Sequence, residues 1–101
     1  MESACPADPL LRMLWGQWKT HVIYLLGDRD ELRFGELQRL LPGISPKVLT
    51  QRLRELEADG LAWRRQEATI PPRVTYGLTP MGQDVHGALK AFDGPAGKWL
   101  G

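Results

Sequence analysis

The chain has 101 residues, of which 43% are hydrophobic and 25% charged, and its formal net charge is +1. This size suits one compact domain over residues 1–101, and the apolar content excludes a disordered tail. No apolar run approaches the roughly 20 residues that cross a bilayer, and no charged-then-apolar leader is present, so a cytoplasmic protein without membrane contact is expected.

Residues 8–27 are predicted to form one apolar, buried helix. Asp8-Pro9 resembles a helix start, because aspartate can cap the first turn and proline is tolerated there. Gly27 would end the helix. Apolar residues recur at helical spacing between these points: Leu10, Leu11, Leu14, Trp15, Trp18, Val22 and Leu25 or Leu26. Trp15 and Trp18 are therefore expected in the core.

Two further helices are predicted in the middle of the chain. After a charged loop at 28–33, apolar residues at helical spacing indicate a short amphipathic helix that begins near Phe34 and ends before Pro42-Gly43. Ser45 can cap the next helix, and Pro46 suits its first position, where no N–H is needed. Gly60 suits a left-handed helix end, so this helix is predicted from about Pro46 to Asp59. Its buried stripe would hold Val48 or Leu49, Leu53 and Leu56.

The outward side of the helix over 46–59 collects basic and amide side chains. Lys47, Thr50, Gln51 and Arg54 fall at i, i+3, i+4 and i+7, which places them on one face. A net charge of +1 is low for a nucleic-acid binder. Between Lys47 and Arg73, however, six basic residues stand against four acidic ones. The direction of these side chains therefore matters more than their number.

The last third of the chain is predicted to form a hairpin and a helix. Two short strands, at 61–65 and 73–78, are joined by a stiff tip at Ile70-Pro71-Pro72. Thr79-Pro80 repeats the cap-then-proline start of a helix that ends at Gly94-Pro95. Its apolar side would carry Met81, Val85, Leu89 and Phe92.

This order of elements predicts an α+β, mainly α fold: a winged helix-turn-helix with a two-stranded β wing. The helix over 46–59 would lie in the major groove of DNA, which is wide enough for one helix and shows a distinct pattern for each base pair. Gln51 would pair with adenine and Arg54 with guanine, and Arg73 would reach a minor groove or the backbone. The predicted DNA contacts are Ser45, Lys47, Thr50, Gln51, Arg52, Arg54, Pro71 and Arg73.

Several motifs occur together in one order. They are Gly16-Gln17-Trp18, Arg33-Phe34-Gly35-Glu36-Leu37, the run at 43–53, the run at 56–61, Pro71-Pro72-Arg73-Val74 and the run at 76–82. With Cys5, they give the chain a resemblance to the HxlR family of winged-helix regulators, relatives of the MarR type, from Cys5 to about Phe92. Gln17 and Thr75 depart from it, because family members usually have lysine and glutamate there.

The resemblance implies a bacterial transcriptional regulator that binds a pseudo-palindromic operator as a homodimer and represses or activates there, associated with the nucleoid when bound. It also implies N- and C-terminal dimerisation helices. The interface residues would be Leu10, Leu11, Leu14, Val85, Leu89, Phe92 and Trp99. Some family members sense oxidants through a cysteine near the N-terminus, which makes Cys5 a candidate redox sensor. An ordinary thiol near the chain terminus is the alternative, and the effector, oxidant or small molecule, stays unknown.

Catalytic and metal chemistry find little support in the sequence. One cysteine excludes an internal disulfide and a four-cysteine zinc site, and Cys5, His21 and His86 form no known ligand spacing. Glu55 and Glu57 point in different directions on a helix, so they are not a catalytic pair. We expect no metal, no cofactor and no enzyme. Two alternatives stay open: a protein-interaction module without specific DNA binding, and a small-molecule carrier with a pocket at the dimer seam lined by Trp15, Trp18 and Phe92.

Overall fold

The computed structural model of the chain describes residues 5–101. Its helices are α1 (Asp8–Met13), α2 (Lys19–Arg29), α3 (Phe34–Leu40), α4 (Pro46–Ala58), α5 (Pro80–Lys90) and α6 (Asp93–Trp99). Its strands are β1 (Glu31–Arg33), β2 (Ala62–Glu67) and β3 (Arg73–Leu78). None of these helices is long and apolar enough to span a membrane. The predicted α+β, mainly α architecture is confirmed.

Side-chain caps begin α4 and α5. The Ser45 hydroxyl accepts a hydrogen bond from the Val48 N–H at 3.1 Å, and the Thr79 hydroxyl accepts one from the Gly82 N–H at 3.1 Å. A proline follows each cap, where its missing N–H leaves no bond unmade. Gly60 has a φ of +78° just after α4. The predicted starts of both helices and the left-handed end of α4 are confirmed.

The prediction of one helix over 8–27 is wrong, because the chain leaves the helical path between α1 and α2. Gly16 has a φ of +130° and Trp18 a φ of +77°, and neither value fits a right-handed helix. Trp15 lies in this break and is 85% exposed, so it is not a core residue. Trp18 is half-buried against the core. Helical spacing of apolar residues cannot by itself reveal such a break.

Gly27 does not end α2, which continues to Arg29. Its role is close packing between helices. A Cβ at this position would lie 2.1 Å from Cδ2 of His86 on α5, so only glycine lets the imidazole ring approach. Gly27 therefore marks a contact between α2 and α5 rather than a helix end.

The hairpin of β2 and β3 is confirmed, with Ala62 opposite Leu78 at one end and Glu67 opposite Arg73 at the other. The sheet also has a third strand that the sequence did not predict. β1 pairs antiparallel with the other edge of β3, within the segment expected to be a loop. Three residues are too few for alternation of apolar and polar side chains to show.

The C-terminal end also differs from expectation. α5 ends at Lys90, and α6 runs through Gly94-Pro95, where a break was predicted. Pro95 lies in the first turn of α6, where backbone N–H groups have no partner within the helix. Proline is therefore tolerated at this place, and the sequence signal for a break instead marks a helix start.

The core lies between the sheet and α2, α3, α4 and α5. The largest fully buried side chains are Val22, Ile23, Leu26, Leu37, Leu49, Leu53, Leu56 and Leu61. Leu49, Leu53 and Leu56 all belong to α4 and are at most 2% exposed. The buried stripe predicted for this helix is confirmed in these three positions, and its opposite face is turned outward.

An ionic contact joins α2 to α5. Asp28 accepts a hydrogen bond from His86 at 2.8 Å and lies 3.4 Å from the Lys90 ammonium. The bond to His86, and after it the contact with Lys90, holds the pKa of Asp28 below its ordinary value of 3.8, although partial burial opposes this. Because the folded pKa is lower than the unfolded one, this carboxylate stabilises the fold above about pH 4, and the contribution disappears as the pH falls below that value.

Replacement of Asp28 by asparagine tests this contact. We expect Asp28→Asn to be less stable than the wild type at about pH 5, and the difference to be smaller at about pH 2.5, because the wild-type carboxylate takes up protons as the pH falls. Urea midpoints at the two pH values measure the difference. A gap that stayed constant or widened on acidification would show that Asp28 acts through its shape rather than its charge.

Candidate nucleic-acid interface

The outward face of α4 carries four of the predicted contact residues, and we call Lys47, Thr50, Gln51 and Arg54 the reading face. Lys47, Gln51 and Arg54 are exposed and Thr50 is half-buried. Together with Pro46 they line one shallow concavity of about 410 Å³. The predicted spacing therefore brings these four side chains together in space. An α-helix with side chains is about 10–12 Å across, which matches the width of the major groove.

The chemistry of the reading face fits the edges of bases and phosphates. Two of its members are cationic, Gln51 offers both a donor and an acceptor, and within residues 5–101 neither Lys47 nor Arg54 forms an ion pair. The Thr50 hydroxyl donates to the Pro46 carbonyl at 2.8 Å, so its proton is already used within the helix. A phosphate can only accept hydrogen bonds, so Lys47 and Arg54 are better placed to hold one than Thr50.

Arg64 extends this surface and was missed as a site residue. A second concavity, of about 340 Å³, lies between α4 and the sheet, and Thr50, Arg54, Arg64 and Tyr76 line it with Leu53 and Glu57. Arg64 is exposed on β2, and its guanidinium lies 3.3 Å from the Gln66 amide oxygen. The sequence placed Arg64 in a strand but could not tell which face of the sheet would lie beside α4.

The Arg52 side chain lies on a different side of α4 from the reading face. Its Nε donates to the backbone carbonyl of Gln17 at 2.9 Å, and its Nη1 lies 2.6 Å from a carboxylate oxygen of Glu55. The side chain is only 20% exposed. The structure therefore does not bring Arg52 onto the reading face, because these two acceptors hold its guanidinium against the turn between α1 and α2.

Pro71 and Arg73 lie at the tip of the hairpin and are exposed. The Thr69 hydroxyl donates to the Pro71 carbonyl at 2.7 Å, which closes the tip, and Ile70 is fully exposed there. Arg65, lower on the hairpin, is held by Glu31 at 2.8 Å and by Glu67 at 3.5 Å. These carboxylates raise the pKa of Arg65 and offset its charge, so Arg73 and Arg64 are the more available cations of the wing.

The predicted dimer residues fall into three groups. Leu11, Phe92 and Trp99 are 55%, 67% and 74% exposed in the single chain. Leu10, Leu14 and Leu89 are partly buried against the core. Val85 is only 4% exposed, so its assignment to a dimer surface is corrected: it packs inside the subunit, on the core side of α5.

An apolar groove of about 650 Å³ lies between α2, α3, α5 and α6. Its lining includes Leu25, Leu40, Leu89 and Phe92 beside His21 and Tyr24. The Tyr24 hydroxyl donates to the Asp93 carboxylate, which ties α6 to α2 and raises the pKa of Tyr24 to about 12. Of the three residues predicted to line a small-molecule pocket, only Phe92 borders this groove. Trp15 and Trp18 do not.

Cys5 is exposed just before α1, and its backbone carbonyl accepts a hydrogen bond from the Asp8 N–H at 3.0 Å. It therefore lies close to the helix that carries Leu10 and Leu11. Within residues 5–101, no group of three or more histidine, cysteine, aspartate or glutamate side chains could hold a metal ion.

Relatives with similar sequences are transcriptional regulators. The chain is 45% identical over 74 residues to the HTH-type transcriptional regulator BH0655 of Halalkalibacterium halodurans, which covers 73% of this chain and 66% of that protein. It is 35% identical to the HTH-type transcriptional regulator YdzF of Bacillus subtilis, over 85% of this chain and 84% of that protein.

Solved structures of similar fold are also those of regulators. A transcriptional regulator of the MarR family from Porphyromonas gingivalis superposes with a TM-score of 0.83 at 34% identity, covering 99% of this chain and 96% of that one. The redox regulator HypR in its reduced form superposes with a TM-score of 0.85 at 33% identity, covering 93% of this chain and 92% of that one. Reduced YodB of B. subtilis superposes with a TM-score of 0.81 at 28% identity, covering 97% of this chain and 96% of that one.

The family model for the HxlR-like helix-turn-helix matches residues 13–101. The resemblance found in the sequence motifs is thereby confirmed, as is the prediction of a regulator type rather than an enzyme. With these matches, and with the capped helix α4 and the hairpin in the expected order, the chain belongs to the HxlR-like helix-turn-helix family of transcriptional regulators.

Proposed function

We propose that residues 1–101 act as one sequence-specific unit that binds double-stranded DNA and regulates transcription as a homodimer on a pseudo-palindromic operator. The observation that carries this proposal is the exposed reading face on α4, with its leucines buried behind it. Helix α4 would enter the major groove, where Gln51 and Arg54 can form bidentate contacts with adenine and guanine. Lys47, Arg64 and Arg73 would hold the backbone on either side.

The low net charge does not oppose this function, because charges are separated on the surface. Several carboxylates lie beside cations away from the reading face: Glu55 beside Arg52, Glu31 beside Arg65 and Asp28 beside Lys90. The cations of the reading face remain available to phosphates. Cations grouped on one face favour contact with DNA phosphates even where the whole protein is nearly neutral.

The proposed dimer is supported by large apolar side chains that the single chain leaves exposed on α1 and on the C-terminal segment. Leu11, Phe92, Trp99 and Leu100 are each more than half exposed. Large apolar side chains left exposed on a single chain favour contact with a partner, and a two-fold dimer would present two copies of α4 to successive major grooves about 34 Å apart. The operator would then have matching half-sites at that spacing.

A comparison of binding to two DNA duplexes tests the proposal. Purified wild-type protein is titrated onto labelled promoter DNA from its own locus and onto a shuffled duplex of equal length, at several salt concentrations. We expect binding to the promoter to be tighter by at least about 10³-fold, with a footprint of two half-sites. Equal affinity for the two duplexes would overturn specific regulation, and no affinity for either would favour the alternative of a protein-interaction module.

We also propose Cys5 as a thiol sensor. Two neighbours in fold are described as redox regulators or were studied after diamide treatment, namely HypR and YodB. Diamide takes up two hydrogens while two thiols join in a disulfide, so Cys5 would pair with Cys5 of the partner subunit or with a small thiol. An exposed thiol beside a helix start is accessible to such chemistry.

Serine at position 5 separates the sensor from an ordinary thiol. Diamide is expected to release wild-type protein from the operator and to leave Cys5→Ser bound, in an assay that follows DNA anisotropy before and after added reductant. Release of both proteins by diamide would contradict a role for Cys5, and release of neither would show that oxidation is not a signal for this chain.

A further inference from the structure

Side chains of α2 and α4 meet at the Glu55 carboxylate, on the side of α4 that does not carry the reading face. Arg52 lies 2.6 Å from this carboxylate, and the Lys19 ammonium lies 4.0 Å from it. Arg52 also donates to the Gln17 carbonyl, and Lys19 donates to the Met13 carbonyl at 3.2 Å. We call Gln17, Lys19, Arg52 and Glu55 the Glu55 junction. It connects the end of α1 and the start of α2 to the middle of α4.

The turn held by this junction has a backbone that needs tertiary support. Trp18 precedes α2 with a φ of +77°, a region that residues with a side chain rarely adopt, and its own side chain forms no capping hydrogen bond. The Lys19 side chain is only 7% exposed. A buried ammonium is costly unless polar groups surround it, so Met13 and Glu55 together determine where Lys19 and its turn can lie.

The geometry points to Arg52 as a positioning residue for DNA recognition. It fixes the turn after α1 against α4, and so sets the orientation in which α4 presents Gln51 and Arg54. This inference rests on the proposed DNA-binding function. It also provides a route by which movement of α1, the helix next to Cys5 and the proposed dimer contacts, changes the fit of α4 to a base edge. Arg52 itself does not touch DNA.

The salt dependence of binding distinguishes positioning from contact. Affinity for DNA falls as the salt concentration rises. Each phosphate contact that is lost makes the plot of log affinity against log salt less steep by about one unit. We expect Arg52→Ala to weaken operator binding by about tenfold or more with an unchanged slope. The matched control is Arg29→Ala, which removes the same charge from an exposed position at the end of α2 and should alter neither value. A slope reduced by about one would place Arg52 on a phosphate and overturn the inference.

Glu55→Gln keeps the shape of the junction and removes its charge. If Arg52 positions α4, this variant binds the operator more weakly. If Arg52 instead contacts DNA, the variant binds more tightly, because it frees the guanidinium and removes a negative charge nearby. Glu55→Gln also keeps the inference testable should Arg52→Ala fail to fold. Arg52→Lys, which cannot reach both acceptors as a fork, is expected to restore only part of the affinity.

A measurement without DNA separates the junction from the proposed function. Hydrogen exchange at the amides of Lys19 and Val22, which donate to the Gly16 and Trp18 carbonyls of this turn, is expected to be at least tenfold faster in Arg52→Ala than in the wild type, with core amides such as that of Leu53 unchanged. Equal exchange in the two proteins would overturn the junction itself. If exchange is faster in Arg52→Ala, but the wild type binds promoter and shuffled DNA equally, the junction is supported and only the proposed DNA regulation is contradicted.

Discussion

Gly82→Ala is expected to lower the free energy of unfolding by about 2–3 kcal/mol, although alanine normally stabilises a helix relative to glycine. A Cβ at position 82 would lie 2.0 Å from the backbone oxygen of Leu61 and 3.2 Å from Cβ of Leu78. The Leu61 carbonyl accepts a hydrogen bond from Thr79 at 3.1 Å, so it cannot move aside without loss of that bond. α5 would have to shift away from the sheet.

Gly87 in the same helix supplies the matched control. Within residues 5–101, no heavy atom outside the neighbouring residues and the backbone of α5 itself lies within 4 Å of the Cβ that alanine would add there. Gly87→Ala is therefore expected to raise the free energy of unfolding by about 0.5–1 kcal/mol, through helix propensity alone. Urea unfolding at one fixed protein concentration measures both variants, since the stability of the proposed dimer would depend on concentration. A Gly82→Ala protein as stable as the wild type would show that α5 can leave the sheet at little cost.

Arg54→Ala is expected to reduce affinity for the operator by about 10- to 100-fold, with a smaller loss on a shuffled duplex. Arg54 lies at the centre of the surface, because it lines both the concavity on α4 and the one between α4 and the sheet. A planar guanidinium in that place can bond the two acceptors of a guanine, and alanine leaves them unpaired.

Lys47→Ala serves as the comparison, because Lys47 lies at the start of α4 and is expected to hold a phosphate. Its loss should weaken operator and shuffled DNA by the same factor and lower the salt slope by about one. Anisotropy titrations at several salt concentrations measure both effects. If Arg54→Ala weakened both duplexes equally, Arg54 would be a backbone contact, and Gln51 would be left as the main candidate for base recognition.

The elements with strong local signals were predicted well. Ser45-Pro46 and Thr79-Pro80 start helices because a hydroxyl cap and a proline satisfy the first turn with few neighbours involved. The spacing of the reading face follows from the helical period alone. By contrast, the break after α1, strand β1 and helix α6 carry weak local signals, and the sequence prediction missed all three.

The sequence does not show which arginines face outward. Arg52 and Arg54 are two residues apart on one helix and look equivalent in sequence, yet the structure turns Arg54 outward and ties Arg52 to Gln17 and Glu55. Arg64 joins the surface only because β2 packs beside α4. Val85 and Phe92 share an apolar stripe, but the first is buried in the subunit and the second is exposed.

The family, the order of the main elements and the spacing of the reading face could be predicted from the sequence, since caps, helical period and ordered motifs are properties of neighbouring residues. The fold was needed to show which arginines face outward, which apolar residues stay exposed in the single chain, and which segments a Cβ at Gly27 or Gly82 would meet. These outcomes depend on contacts between segments far apart in the chain, and local free energies contain no information about them.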